Sequence, residues 1–223
     1  MLQFFAKYKF FGIVMLVLSA IIITIIYNVY TIDDGKTLPI YQPNDVTAEL
    51  VDTTVQHVKK YHKIADFSLT NQNGQTITQK DYKDKIYVAD FFFTTCQTIC
   101  PIMTDHMVKI QEKVKNDPEI MLLSHSVTPK VDTVAQLKKY ALEKGVNDKK
   151  WNLVTGDKKE IYDLARKSYL AAKDMPYNEY DLIHTENFVL VDKKKRIRGF
   201  YDGTDPEAIE ELMGDIKILE KEK

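Results

Sequence analysis

An eight-residue apolar run, Ile86 to Phe93, ends in the segment Thr94-Thr95-Cys96-Gln97-Thr98-Ile99-Cys100-Pro101. The run is β-branched and aromatic and carries one charge, Asp90. That pattern predicts a strand buried on both faces, which requires a sheet with helices packed against it. Beyond the cysteines, Met103, Met107, Ile110 and Val114 repeat at spacings of four, three and four, the stripe of a helix. The two cysteines are the only ones in the chain, and they fall where strand passes into helix. A thiol near a helix N-terminus feels the positive end of the helix dipole, so its thiolate is favoured. Thiolate is the form that binds metal or attacks a disulfide.

In a helix, residues four apart share a face, so Cys96 and Cys100 can point the same way. Their Cα separation would be about 6 Å, within the roughly 4.4–6.8 Å of disulfides. The same spacing lets both sulfurs reach one metal ion. A purely structural disulfide would close a very short loop and add little chain-entropy stabilisation. The pair therefore reads as a redox switch, a metal clamp, or both.

The N-terminus is the other strong feature. No charged residue occurs from Phe10 to Ile32, a stretch dominated by Ile, Val, Leu and Phe. As a helix it would be about 34 Å long, against about 30 Å for a bilayer core. A cleaved signal peptide would have a shorter apolar region and small residues at its end. Here the run ends in Ile26-Tyr27-Asn28-Val29-Tyr30, which suits an aromatic interface belt. A retained anchor over residues 10–32 is expected, with residues 1–9 cytoplasmic. Lys7 and Lys9 precede it and Asp33 and Asp34 follow it, so the remainder faces the extracytoplasmic side. Nine residues without Arg leave no room for a mitochondrial presequence. A bacterial membrane protein is implied, in a compartment where a cysteine pair can be oxidised.

Residues 33–63 read as a tether, with Gly35, Pro39 and Pro43 and no sustained apolar period. The folded domain is expected over 64–223. Asp66 to Thr70 and Gln75 to Thr78 alternate around Asn73-Gly74, a hairpin signal. A second central strand follows at Ile120 to Val127. Asp132 is expected to cap a helix with Val134, Leu137 and Ala141 that stops at Gly145. Asp157 with Glu160 opens another helix, carrying Ile161, Leu164 and Ser168. Strands at Asn187 to Val191 and Ile197 to Tyr201 are joined by the basic turn Lys193-Lys194-Lys195-Arg196, and Asp205-Pro206 opens a last helix. The order is β-hairpin, β-α-β-α-α, then β-β-α, an α/β sheet with a parallel core and a C-terminal hairpin. Thioredoxin-like folds share that order, with cysteines at the same junction. The net charge of −1 carries no signature of nucleic-acid binding, so no nucleic-acid partner is expected.

Two thiolates leave a metal underserved. His57 and His62 lie in or beside the tether, His125 within a strand, and His106 on the helix at a spacing that points it away. His184 stands just before the strand Asn187 to Val191, where a loop can reach the cysteine-bearing junction. Spacing alone leaves it one candidate ligand beside an ordinary loop histidine. Met103 and Met107 offer thioether sulfur, but their helical period assigns them to the core.

The run Phe92 to Pro101, followed at a distance by Asp181-Leu182-Ile183-His184, resembles the Sco/SenC family of membrane-anchored copper proteins. Ser126-Val127, Pro129, Tyr140-Ala141 and Thr155-Gly156 match intermediate landmarks of that family. The resemblance implies a thioredoxin-like domain that binds copper through Cys96, Cys100 and His184. It also implies delivery of copper to the binuclear copper site of cytochrome c oxidase, on its copper-bearing subunit or another copper protein, or reduction of that site's cysteines. Thr128 stands where the family usually has Asp, so a carboxylate is missing at that position. A reading of a different class remains open beside the metallochaperone: a membrane-tethered thiol-disulfide oxidoreductase, in which one cysteine attacks and the other resolves.

Overall fold

The computed structural model of the chain describes residues 9–31, 37–171 and 186–222. Two compact units divide it, residues 1–36 and 37–223. In the first, helix α1 covers Lys9–Thr31. Its described side chains, residues 11–25, are exposed on every side, with Phe11, Ile13, Leu16, Ile22 and Ile23 all more than half exposed. Ser19 and Thr24 turn their hydroxyls back onto the carbonyls of Met15 and Ala20, 2.8 and 2.7 Å away, which keeps those polar groups satisfied within the helix. Among the described residues, no helix is long and apolar enough to cross a membrane.

The second unit is built on seven strands: β1 (Ser68–Asn71), β2 (Thr76–Thr78), β3 (Ile86–Phe92), β4 (Ile120–Ser126), β5 (Trp151–Thr155), β6 (Asn187–Val191) and β7 (Ile197–Asp202). They form one sheet in the order β2-β1-β5-β4-β3-β6-β7. The pairs β3–β4 and β4–β5 are parallel; the flanking pairs are antiparallel. The helices are α2 (Ile99–Val114), α3 (Val134–Lys144), α4 (Lys158–Asp163), which continues as a π turn over Leu164–Ser168, and α5 (Pro206–Lys221).

Strand β3 explains why the sheet is covered on both sides. All seven of its residues are buried. With a side-chain period of two, Ile86, Val88 and Phe92 enter one core with Met103, Met107 and Ile110 of α2 and Leu212 and Ile216 of α5. Tyr87, Ala89 and Phe91 enter the other, with Tyr82, Ile161, Leu164 and Tyr169. Met103 and Met107 are thus core residues, as their period predicts.

Three expectations change. Strand β5 was not anticipated, although it lies beside β4 in the middle of the sheet. The expected tether to residue 63 is, from Thr37 onward, packed chain in which Leu38, Pro43 and Val51 are buried. Its backbone is held by the sheet: Tyr41 N–H donates to Ile197 O at 3.0 Å and Ile64 N–H to Lys195 O at 2.8 Å. Only short 3-10 turns, Pro43–Asp45 and Ala48–Leu50, form within it. Finally, α3 is capped by Thr133, whose side chain accepts from Gln136 N–H, and not by Asp132. Gly145 closes α3 at φ +71°, in the left-handed region that glycine enters without strain.

Candidate metal centre

The registers of β3 and β4 bring Phe92 beside Ser126, so the loops that leave both strands emerge together. The first loop carries Cys96; the second carries Thr128 and Asp132. Cys96 N–H donates to Phe93 O at 3.2 Å, which turns the chain back toward the sheet. Helix α2 then begins at Ile99, with Cys100 and Pro101 in its first turn. Pro101 fits there because the missing N–H would have no partner within the helix.

The two cysteines are unlike. Cys96 is partly exposed and Cys100 is buried against the core that holds Phe92 and Met103, and both are free thiols. Cys100 N–H, a donor left over at the helix start, points at Cys96 Sγ at 3.4 Å. The Thr98 hydroxyl lies 3.6 Å from the same sulfur. Partial burial opposes ionisation of Cys96, but hydrogen bonds from Cys100 and Thr98 outweigh it and bring its pKa down to about 7. Burial pushes the Cys100 thiol up to about 12, and the neighbouring Cys96 and the charge of Asp90 act the same way. One thiol is therefore readily ionised near neutral pH and the other is held protonated until a metal or a disulfide claims its sulfur.

Asp90 lies 3% exposed on β3, and its Oδ1 makes no hydrogen bond among the described residues. Burial raises its pKa to about 7, against a hydrogen bond from Ser124. Thr104 and Tyr140 pair their hydroxyls at 2.7 Å on the same side of the sheet.

Two expected non-ligands behave as read. His106 Nδ1 lies 2.7 Å from Gly203 O, buried between α2 and the β7–α5 connection. His125 is fully buried, stacked on Phe91 with ring centroids 4.8 Å apart. His62 Nε2 meets Ser168 O at 2.7 Å, and His57 is exposed. Asp181 and His184 lie outside the described residues. Among the described residues, no group of three or more His, Cys, Asp or Glu side chains is arranged to hold a metal ion. What the structure brings together is the sulfur pair.

Sequence reasoning missed the residue that organises the loops. Asp132 is fully buried, and its Oδ1 accepts the Thr94 hydroxyl at 2.5 Å. Its Oδ2 accepts the hydroxyls of Ser126, at 2.5 Å, and Thr128, at 2.9 Å. Thr94 N–H points at both carboxyl oxygens, at 3.4 and 3.3 Å. The carboxylate that seemed absent at Thr128 is supplied four residues later, with Thr128 as one of its donors.

A parallel-cored sheet covered on both faces, with a paired thiol where the central strand enters its helix, defines a thioredoxin-like α/β domain. The chain belongs to the SCO1/SenC family, whose model matches residues 55–219. It is 33% identical over 158 residues to the SCO1 protein homolog of Bacillus subtilis (strain 168), covering 70% of this chain and 82% of that protein. BsSco, a member of the Sco family of cytochrome c oxidase assembly proteins in which a disulfide switch was identified, has a similar structure. It is 32% identical with a TM-score of 0.62, over 73% of this chain and 95% of that one. Arabidopsis thaliana ScoI, solved with copper bound, is 25% identical with a TM-score of 0.55, over 69% of this chain and 97% of that one.

Proposed function

We propose that this protein is a membrane-anchored copper metallochaperone that supports assembly of the binuclear copper site of cytochrome c oxidase. The observation that carries the reading is the sulfur pair, one thiol ready to ionise and one buried beside it at a helix start. Thiolates select Cu(I), and an imidazole supports both copper states. Cys96, Cys100 and His184 are the proposed ligands. Copper is the cargo; the chain's own residues hold two sulfurs close and keep one of them shielded from water. The copper-bound relative and the family's place in oxidase assembly support the same reading. The uncharged run from Phe10 to Ile32, its flanking charges and the exposure of the described α1 side chains, residues 11–25, support a single-pass anchor with the domain on the extracytoplasmic side. The expected partners are the copper-bearing oxidase subunit or another copper protein, and the lipid around α1.

The unequal thiols also favour a second reading, a tethered thiol-disulfide oxidoreductase in which Cys96 attacks and Cys100 resolves. Copper titration of the reduced full chain in detergent separates the two. The metallochaperone reading expects one copper per chain, lost in Cys96→Ser and Cys100→Ser and weakened in His184→Ala. Copper binding unchanged in His184→Ala removes the three-ligand site. Negligible copper binding with high dithiol reductase activity selects the oxidoreductase.

A further inference from the structure

Asp132 has no oxygen free to act as a ligand. Three hydroxyls and the Thr94 N–H occupy both oxygens, and none of its surface reaches solvent. The donors are themselves fixed. The Thr94 oxygen accepts from Gln136 Nε2 at 3.0 Å, so its hydrogen is committed to Asp132. The Ser126 oxygen likewise accepts from Thr128 N–H at 3.2 Å. Ser126 and Thr128 belong to the end of β4 and the loop after it; Thr94 alone of the donors belongs to the loop that carries Cys96. One residue, Thr95, separates Thr94 from Cys96, a reach of at most about 7 Å. The cysteine loop is also held by Cys96 N–H, which donates to Phe93 O at 3.2 Å.

We propose that Asp132 is the positioning residue of the dithiol: through Thr94 it fastens the Cys96 loop to the end of β4 and so holds Cys96 over Cys100. This rests on reading Cys96 and Cys100 as a working pair. A loop held in place raises the effective concentration of one sulfur at the other, and a released loop lowers it. The quantity that reports this is the equilibrium with glutathione. Both protein thiols give up their hydrogens and two electrons to one oxidised glutathione, the Cys96–Cys100 disulfide forms, and two reduced glutathione molecules leave.

The test uses the full chain in detergent, without copper, equilibrated in glutathione buffers and read by mass spectrometry of the alkylated thiols. Thr94→Val is expected to lower the equilibrium constant for disulfide formation at least fivefold, and Asp132→Asn similarly. A tenfold fall would correspond to about 30 mV. Thr94→Ser keeps the hydroxyl and is expected to restore the wild-type constant. Thr128→Val removes a donor from the same carboxylate without touching the cysteine loop, and should stay within twofold. Thermal unfolding of each variant accompanies the measurement, and Thr94→Val carries the test if Asp132→Asn does not fold. The positioning role is overturned if Thr94→Val leaves the constant within twofold of wild type, or if Thr128→Val shifts it equally. A wild-type pair that never oxidises in these buffers would overturn the dithiol reading itself, and the positioning role with it.

Discussion

Cys100 aims its backbone N–H at the sulfur of Cys96 from 3.4 Å, so each cysteine sets the chemistry of the other. The amide favours a thiolate on Cys96, and that sulfur in turn makes a second negative charge on Cys100 costlier. Near neutral pH the reduced pair thus carries its one negative charge on the partly exposed member. This is the side from which a metal donor or a partner's sulfur can approach.

Alkylation should resolve the two thiols. Iodoacetamide on the reduced protein at pH 7.5 is expected to modify Cys96 and spare Cys100, because only thiolate reacts. The Cys96 rate should rise with pH and level off about one unit above 7, following its lowered pKa. Peptide mass spectrometry checks it. Equal labelling of both cysteines at neutral pH would contradict the asymmetry.

Met103 and Met107 are expected to matter for packing and not for copper. They are 1% and 0% exposed and lie in the core beneath β3. Met103→Leu and Met107→Leu, which nearly conserve volume, should each cost less than about 1.5 kcal/mol. Met107→Ala leaves a cavity and should cost roughly 2–5 kcal/mol. Copper content per folded chain should be unchanged in all three. A fall in the leucine variants would make a thioether part of the site.

The segment before β1 should be required for full stability. Arg198, 2% exposed in its side chain, donates to Leu38 O at 2.7 Å and Pro39 O at 2.9 Å and pairs with Glu222 and Asp192. Leu38 N–H closes the arrangement on Glu222 at 3.0 Å. Arg198→Ala leaves the Leu38 and Pro39 carbonyls without this donor and the partly buried Glu222 without its cation, while Asp192 keeps Arg196, and should cost about 1–3 kcal/mol. A soluble fragment that begins at residue 45 should unfold at lower denaturant than one that begins at residue 37. Coincident unfolding curves would show that the segment contributes nothing.

That segment also shows where the sequence stops being legible. β3, β4, the hairpins and α2 announce themselves because their periodicity is local and unbroken. Leu38 and Val51 are single apolar residues among polar ones, and only contacts distant in sequence bury them. β5 is hidden differently: Asn152 interrupts its short apolar run, yet Asn152 is buried because Asn71 and the Tyr82 hydroxyl satisfy it at 3.0 Å each. Both partners come from elsewhere in the chain. The cysteines were visible from composition and spacing, whereas Asp132 looked like a helix cap, one residue before the true cap. Its role depends on β3 and β4 ending side by side, a fact of the sheet register.

Stability against pH should expose two buried groups that offset one another. His125, on the Tyr169 side of the sheet, has its pKa lowered to about 4 by burial. Between about 4 and its unfolded value near 6.5, the unfolded chain binds the extra proton, so this histidine makes stability rise with pH and is fully favourable above 6.5. Asp90, on the Cys100 side, has its pKa raised to about 7 by burial. Over nearly the same interval the folded chain holds the extra proton, so Asp90 makes stability fall as pH rises from about 4 to 7. Each slope is at most about 1.4 kcal/mol per pH unit, and with opposite signs they should nearly cancel between pH 4.5 and 6. Asp90→Asn removes the falling contribution, so its denaturant midpoint should climb steadily over that interval relative to wild type. His125→Phe should do the reverse and lose stability as pH rises. Parallel pH profiles for wild type and Asp90→Asn would mean that Asp90 titrates in the folded protein as it does in the unfolded chain.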